Sequence, residues 1–265
     1  MKNKMKKNLP KISLITPSYN QAKFIGKTIE SVLFQNYSNL EYIILDGGSN
    51  DGTLEILKKY GEKIKWESHK DKGQTEAINR GVKMATGEII GYLNSDDLLE
   101  SDALNKIASF FNSNPDYYWV TGKCRLIDKN GNLIRSFVTF YKDFLIKHAR
   151  KNSVLSIVNF ISQPATFWRK ELVEKIGFFD ESLHYAMDYD YWLRISKIYK
   201  LGFIDEYLAL FRIHPFSKST ANFEKLLGEG YCVAKKQSGF VFSLLHKIHD
   251  LGIIAIYKML RKYER

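Results

Sequence analysis

Four short apolar runs, each ending in a polar cluster and each followed by residues at helical spacing, fill the first hundred positions and leave few folds open. Residues 11–16 (KISLIT), 40–45 (LEYIIL), 64–68 and 88–93 read as strands, and Pro17 is expected to end the first. Residues 24–35, 51–60, 75–85 and 101–111 read as helices, with Ser101 or Asp102 near the N-cap of the last. Strand and helix alternating in this way predict an α/β fold: a mostly parallel central sheet with helices on both faces. Ligands of such sheets bind at the carboxyl ends of the strands. The polar clusters at 16–20, 46–51, 69–75 and 94–97 are therefore expected on one rim.

The second half changes character. Residues 117–128 and 133–140 flank Lys129-Asn130-Gly131-Asn132, a hairpin signal. Residues 142–152 and 170–176 read as helical, 163–169 and 203–213 as extended, and 188–200 as an amphipathic helix. From Asn222 the chain reads as helical and basic. The 265 residues suit a basic segment at 1–10, one large domain at 11–220 and a helical tail at 221–265. Within the domain, the pattern changes near residue 100.

Each cluster has a chemical and a plain explanation. In Thr16-Pro17-Ser18-Tyr19-Asn20 the Tyr19 ring can hold a planar base, or the run is a simple strand-to-helix turn. In Asp46-Gly47-Gly48-Ser49 the glycines allow close backbone approach, and Asp46 can accept hydrogen bonds from a base or ribose. Ser49 stands where the dinucleotide fingerprint needs its second glycine, which weakens a dehydrogenase reading. Asp51-Gly52-Thr53 caps the next helix. Lys72 and Arg80, with the helix start beside Gln74, can face a diphosphate, or form a solvated loop. Asn94-Ser95-Asp96-Asp97 puts two carboxylates side by side, where they repel unless a cation or donors compensate. Oxygen ligands suit Mg2+ or Mn2+; a helix-capping pair is the alternative. Asp188 and Asp190 open a helix, where negative charge is favoured, and one of them can serve as a general base. They are expected on different sides of that helix, and Trp192 and Leu193 read as core. His214 is a metal or phosphate contact, or a structural histidine.

The formal net charge of +11 favours anionic partners, but no motif of the usual nucleic-acid-binding kinds is present. The two cysteines, Cys124 and Cys232, form no metal or disulfide pattern and read as reduced thiols. No signal peptide and no stretch of membrane-spanning length is evident. The expected location is cytoplasmic, peripheral at the inner face of the cell membrane. The tail mixes apolar residues (Phe240, Val241, Leu244, Leu245, Ile248, Leu251, Ile254, Ile256, Leu260) with cations (Lys247, Lys258, Arg261, Lys262, Arg265). It can lie on an anionic membrane surface or pack on the domain.

Taken in order, TPSYN, SVLFQNY, LDGGSNDGT, DKGQTEAINRG, GEIIGYLNSDD, QPATFWRK, FDESLHYAMDYDYWLRI and RIHPFSKS resemble family-2 glycosyltransferases, from about residue 11 to 220. The likeness is to the bacterial surface-polysaccharide subgroup. It implies a GT-A fold with a nucleotide-binding half at about 11–100 and an acceptor half at about 101–220, a nucleotide-diphospho-sugar donor with a UDP-sugar favoured, a divalent cation (Mn2+ or Mg2+), a glycan or lipid-linked acceptor and inversion at the anomeric carbon. By resemblance, Thr16, Pro17 and Tyr19 border the base and Asp46 hydrogen-bonds it. Gly48, Lys72, Gln74, Asn79, Asn94 and Ser95 complete the donor side. Asp96, with Asp97 beside it and His214 from a later loop, forms the metal side. Gln163, Trp168 and Asp190 fall on the acceptor side, and Asp188 takes the place of the catalytic base. Three departures stand out: Asn94 replaces the first aspartate of DxD, Gly47 the second acid of DDGS, and Met187 a common glutamate.

The rivals are a sugar-phosphate nucleotidyltransferase and a non-catalytic scaffold. The first would carry a glycine-rich basic loop after the first strand, which TPSYN is not. The presence of both Asp96 and Asp188 argues against the second.

Overall fold

A computed structural model describes residues 9–215 and 217–263. Side chains at 136, 219, 220 and from 256 onward lie outside that description, as do residues 1–8 of the basic segment and the tail residues Ile256, Lys258, Leu260, Arg261, Lys262 and Arg265. The elements run β1 (Ile12–Ser18), α1 (Ile25–Leu33), β2 (Leu40–Asp46), α2 (Thr53–Lys58), β3 (Lys65–Ser68), α3 (Gln74–Met84), β4 (Ile89–Tyr92), β5 (Leu98–Leu99) and α4 (Ala103–Ser113). They continue with β6 (Trp119–Ile127), β7 (Leu133–Ile134), α5 (Ser136–His148), α6 (Asn152–Leu155), β8 (Thr166–Arg169), α7 (Leu172–Ile176), α8 (Met187–Ser196), β9 (Gly202–Arg212), α9 (Lys218–Ala221), α10 (Phe223–Ser238) and α11 (Phe240–Tyr263).

One sheet carries all nine strands, in the order β3-β2-β1-β4-β8-β6-β9-β5, with β7 beside β6. From β3 to β4 every pairing is parallel, as the alternation predicts. From β4 onward the sheet is mixed: β8 runs antiparallel to β4 and β6, while β9 is parallel to β6. Alternate residues feed two cores. Ile12, Leu14, Tyr42 and Ile44 pack with α1, α2 and α4; Ile15, Ile43 and Leu45 pack with α3 and α8. Helices thus cover both faces, and the sheet runs unbroken through the expected donor and acceptor halves.

Pro17 does not end β1. The carbonyl of Ile15 accepts from Leu93 on the β4 side, so position 17, two residues on, also faces that side. Paired β4 residues reach only to Ile15, so the missing N–H of proline breaks no ladder. The expected strand at 133–140 is also different. Only Leu133 and Ile134 pair with β6; Arg135 adopts φ 52° and α5 begins at Ser136. Asp128 fixes the Asn-Gly turn by accepting from the amides of Asn130 and Asn132.

α10 packs its Val233 and Ala234 into the core against α8. Among the described residues, no helix is long and apolar enough to cross a membrane.

Candidate active site

The parallel strands deliver their carboxyl ends to one rim, and the four clusters interlock there. The Asn20 amide donates to Ser49 Oγ (2.7 Å) and the Asn50 amide to Asn20 Oδ1 (3.0 Å). The backbone of Gly47 bonds Ser18, and that of His69 bonds Asp46. Gln74 Nε2 donates to Asn94 Oδ1 (2.7 Å), and Lys218 Nζ donates to Gln74 Oε1 (2.9 Å). Asn94 Nδ2 continues the chain to Asp97 Oδ2 (3.2 Å) and Gln163 Oε1 (3.4 Å). Gln163 closes it by donating to the Tyr92 carbonyl (2.6 Å).

Several residues expected on the donor side face inward. Asp46 is fully buried, and its carboxylate accepts from the amides of Gly48 and Ser49 and from the hydroxyls of Ser49 and Ser68. It shapes the glycine loop from within. Gly48 needs its φ of +85°, close over the backbone of Lys70. The Thr16 hydroxyl is buried against Tyr42 (3.0 Å), and Pro17 is buried. Asn79 pins residues 179–181 by bonding both backbone groups of Phe179 and the Glu181 side chain. Ser95 is buried, its carbonyl accepting from Thr28. Tyr19, 61% exposed, and Lys72 remain open at the rim.

The acidic pair splits. Asp97 is completely buried: Oδ1 accepts the Arg212 amide (2.8 Å) and Oδ2 the Asn94 side chain. Burial, with the Asp96 carboxylate beside it, pushes its carboxyl well above the usual range. Both oxygens are spent inside the fold. Asp96 turns the other way, and its Oδ2 lies 3.0 Å from His214 Nε2. The His214 ring packs on Phe24, and its Nδ1 is buried without a partner. Arg212, buried, ties the loops together by donating to the carbonyls of Asp96 (2.7 Å) and Asp128 (3.0 Å). Among the described residues no three His, Cys, Asp or Glu side chains gather as a metal cluster; the grouping that exists is Asp96 with His214.

At the start of α8 the two aspartates diverge. Asp188 is half-buried and accepts the Tyr189 amide (2.7 Å). Burial raises its carboxyl above the ordinary value, opposed by that amide and by the Lys142 and Lys218 ammoniums. Asp190 is buried between Arg194 Nε (2.8 Å) and Gln237 Nε2 (2.7 Å). Residues two apart on a helix lie about 200° apart around its axis, so the two carboxylates occupy opposite sides. Trp168 is also core, packed with Tyr191, Trp192 and Phe179. Of the three expected acceptor-side residues, only Gln163 joins the rim network.

Glu229, on α10, carries no motif, yet its carboxylate accepts the amides of His184 (2.9 Å), Tyr185 (2.5 Å) and Ala186 (2.6 Å), immediately ahead of α8. Lys142 is equally silent in the sequence. Lys218 lies in the RIHPFSKS run, where nothing in the local pattern shows that it reaches Gln74 across 144 positions.

Residues 13–177 match the model of glycosyl transferase family 2. The chain belongs to that family. This glycosyltransferase is 34% identical to chondroitin synthase of Escherichia coli over 195 residues, 72% of its own length but 27% of that protein. It is 32% identical to an uncharacterised glycosyltransferase of Rickettsia typhi over 215 residues, 79% of the chain and 67% of the relative. It is 27% identical over 175 residues to poly-β-1,6-N-acetyl-D-glucosamine synthase of Staphylococcus epidermidis, covering 65% and 42%. The GT-A fold is shared with the mannosyltransferase PcManGT of Pyrobaculum calidifontis, solved with GDP-Man and Mn2+ (TM-score 0.67, 17% identity, 92% and 69% covered). It is shared also with S. aureus TarS 1-349, solved with UDP-GlcNAc (TM-score 0.65, 20% identity, 86% and 67% covered). Asp188, His214 and Glu229 of this glycosyltransferase all lie beyond the 13–177 match.

Proposed function

We propose that this glycosyltransferase moves a hexosyl group from a nucleotide-diphospho-sugar, with a UDP-sugar favoured, to a glycan or lipid-linked acceptor by a single inverting displacement. The setting is bacterial polysaccharide synthesis, at the cytoplasmic face of the membrane. The observation that carries this reading is the convergence of Asp96, His214, Gln74, Asn94, Gln163 and Lys218 on one rim, where Lys218 lies within electrostatic reach of Asp188.

Tyr19 and the Gly47–Gly48 loop would receive the base. Lys72 and Lys218 would meet the diphosphate. Partial burial lowers the pKa of the Lys218 ammonium, and Glu229 and Asp188 oppose that shift. The donor set fits a divalent cation: Asp96 Oδ2 and His214 Nε2 are 3.0 Å apart, and neighbouring octahedral ligands at about 2.1 Å from an ion are separated by about 3.0 Å. Asp96 and His214 would hold the ion, with Asp97 bracing the loop. A bound cation would stabilise negative charge on the departing diphosphate.

Asp188 accepts the proton of the acceptor hydroxyl as that oxygen bonds the anomeric carbon and the carbon–diphosphate bond breaks. The firm mount of a helix start suits a base that must stay within hydrogen-bond reach. A screen of nucleotide-sugars with Mn2+ or Mg2+ tests the reading, with nucleoside diphosphate release as the readout. Release from one donor is the expected result. Pyrophosphate release from a nucleoside triphosphate would mark a nucleotidyltransferase, and no turnover of any donor would mark a scaffold.

A further inference from the structure

Two helices of this protein turn apolar faces outward. On α5, Phe137, Phe140 and Phe144 are 61%, 69% and 54% exposed. They fall within about 60° of one another at 100° per residue. The opposite face carries Lys142 and the buried Ile146, against β6 and β9. On α11, Ser243 and His246 are buried and Asp250 pairs with His246, while Val241, Leu244, Leu245, Ile248 and Leu251 face out. His246 bonds the Ile157 carbonyl (2.8 Å) and stacks on Tyr189, so its inward orientation is fixed. The helices are neighbours: Tyr141 Oη lies 3.1 Å from His249 Nε2 and the two rings stack. A water-facing amphipathic helix has the reverse arrangement. An exposed apolar patch of this kind marks an interaction site.

Charge identifies what covers it. α5 ends beside a cavity of about 560 Å3 whose lining includes Lys147, His148, Arg150, Lys151, Lys197 and Lys200 and no carboxylate; Lys147 pairs with Asp205 (2.9 Å) outside that lining, and the other cations make the charge. Among the described residues, the carboxylates of the two helices are turned away: Asp143 onto the Tyr207 hydroxyl (2.7 Å), Asp250 onto His246 and His249. An apolar face bordered by cations, with its acids withdrawn, complements an anionic lipid surface.

We infer that α5 and α11 together form the face by which this protein lies on an anionic bilayer, the phenylalanines of α5 entering the acyl boundary and the cationic cavity meeting lipid headgroups. This deepens the proposed peripheral location, and rests on it, by adding α5 to the tail. His246 of α11 stacks on Tyr189, the residue next to Asp188. The proposed face and the proposed base are therefore joined through adjacent residues of α8.

The test is flotation of the full chain with vesicles of phosphatidylcholine containing 30% phosphatidylglycerol, against pure phosphatidylcholine. The intact protein should float with the anionic vesicles and be released by salt. The triple variant Phe137→Ser/Phe140→Ser/Phe144→Ser should lose at least tenfold in vesicle affinity while binding UDP unchanged, which separates this result from any failure of donor chemistry. In a second measurement, Phe140→Trp should be quenched by brominated acyl chains. Equal flotation of variant and intact protein, or an unquenched Trp at 140, overturns the inference. So does a concentration-dependent dimer that the triple variant abolishes, since a second copy would then be the occupant.

Discussion

Glu229 offers the sharpest test of how the base is held. Its carboxylate takes the three amides that precede α8, and Asp188 is the second residue of that helix. A negative group at a helix N-terminus is favoured by the exposed N–H groups and the dipole. In Glu229→Ala the amide of exposed His184 recovers water, but Tyr185 is half-buried and Ala186 buried. With roughly 1–3 kcal/mol for each buried donor left unpaired, the variant should lose about 3 kcal/mol of stability in urea denaturation. The more telling loss is in rate. A shift of about 1 Å in a catalytic group costs up to ~100-fold, so kcat for transfer should fall about tenfold or more. Glu229→Gln, which keeps one acceptor oxygen, should fall between Ala and the intact protein. Calorimetric UDP affinity should change far less than kcat, because Glu229 reaches the rim only through its charge on Lys218. If Glu229→Ala is destabilised yet keeps kcat within twofold under conditions where it is fully folded, α10 merely packs, and the positioning argument is wrong.

Asp188→Asn should reduce transfer by roughly 100-fold or more, the scale of a lost general base, with UDP binding retained; near-normal transfer here, with Asp190→Asn inactive, would show that the other carboxylate is the base. Asp190→Asn should instead lower thermal stability, since it weakens the clasp on Arg194 and Gln237. Asp96→Ala should sharply weaken Mn2+-dependent UDP binding by calorimetry, and identical affinities with and without chelator would remove the assignment. The folded-state pKa of Asp188 is raised by burial, so transfer should fail as pH drops through a value above that of an ordinary aspartate. The same sign means that its protonated form favours folding: this contribution is full below the ordinary value and lost as pH rises through the folded one. Asp188→Asn should flatten that part of the stability profile, and an unchanged pH–stability curve would contradict it.

The rim was legible because the strand period and the polar stops are both local signals. The parallel half follows from them almost residue by residue. The direction a polar side chain faces is not local. Asp46, Thr16, Asn79 and Asp97 stand in motif positions, yet each is spent on neighbouring backbone or hydroxyl groups. Asp190 could be separated from Asp188 by helix phase alone, but its partners, Arg194 and Gln237, come from a turn and from the tail. Glu229 and Lys142 gave no signal at all: one is a glutamate in an ordinary amphipathic helix, the other lies in a segment read half as strand. α5 was misread because Phe137 and Phe140 extend the apolar run after the hairpin, and outward-facing apolar residues defeat a rule that assumes water outside.

The clasp between Asp97 and Arg212 also orders the making of the molecule. The two are 115 positions apart, and Asp96 and His214 are 118 apart. β9, the strand that brings Arg212, inserts between β6 and β5. At about 5–20 residues per second of synthesis, roughly 6–24 s pass between the emergence of the acidic pair and that of its partners. Until then Asp97 has no amide to justify its burial, and β6 presents an unpaired edge to the cell. A nascent chain of this enzyme is thus a substrate for chaperones before it is a catalyst, and a truncation inside β9 should yield aggregates rather than a smaller working domain.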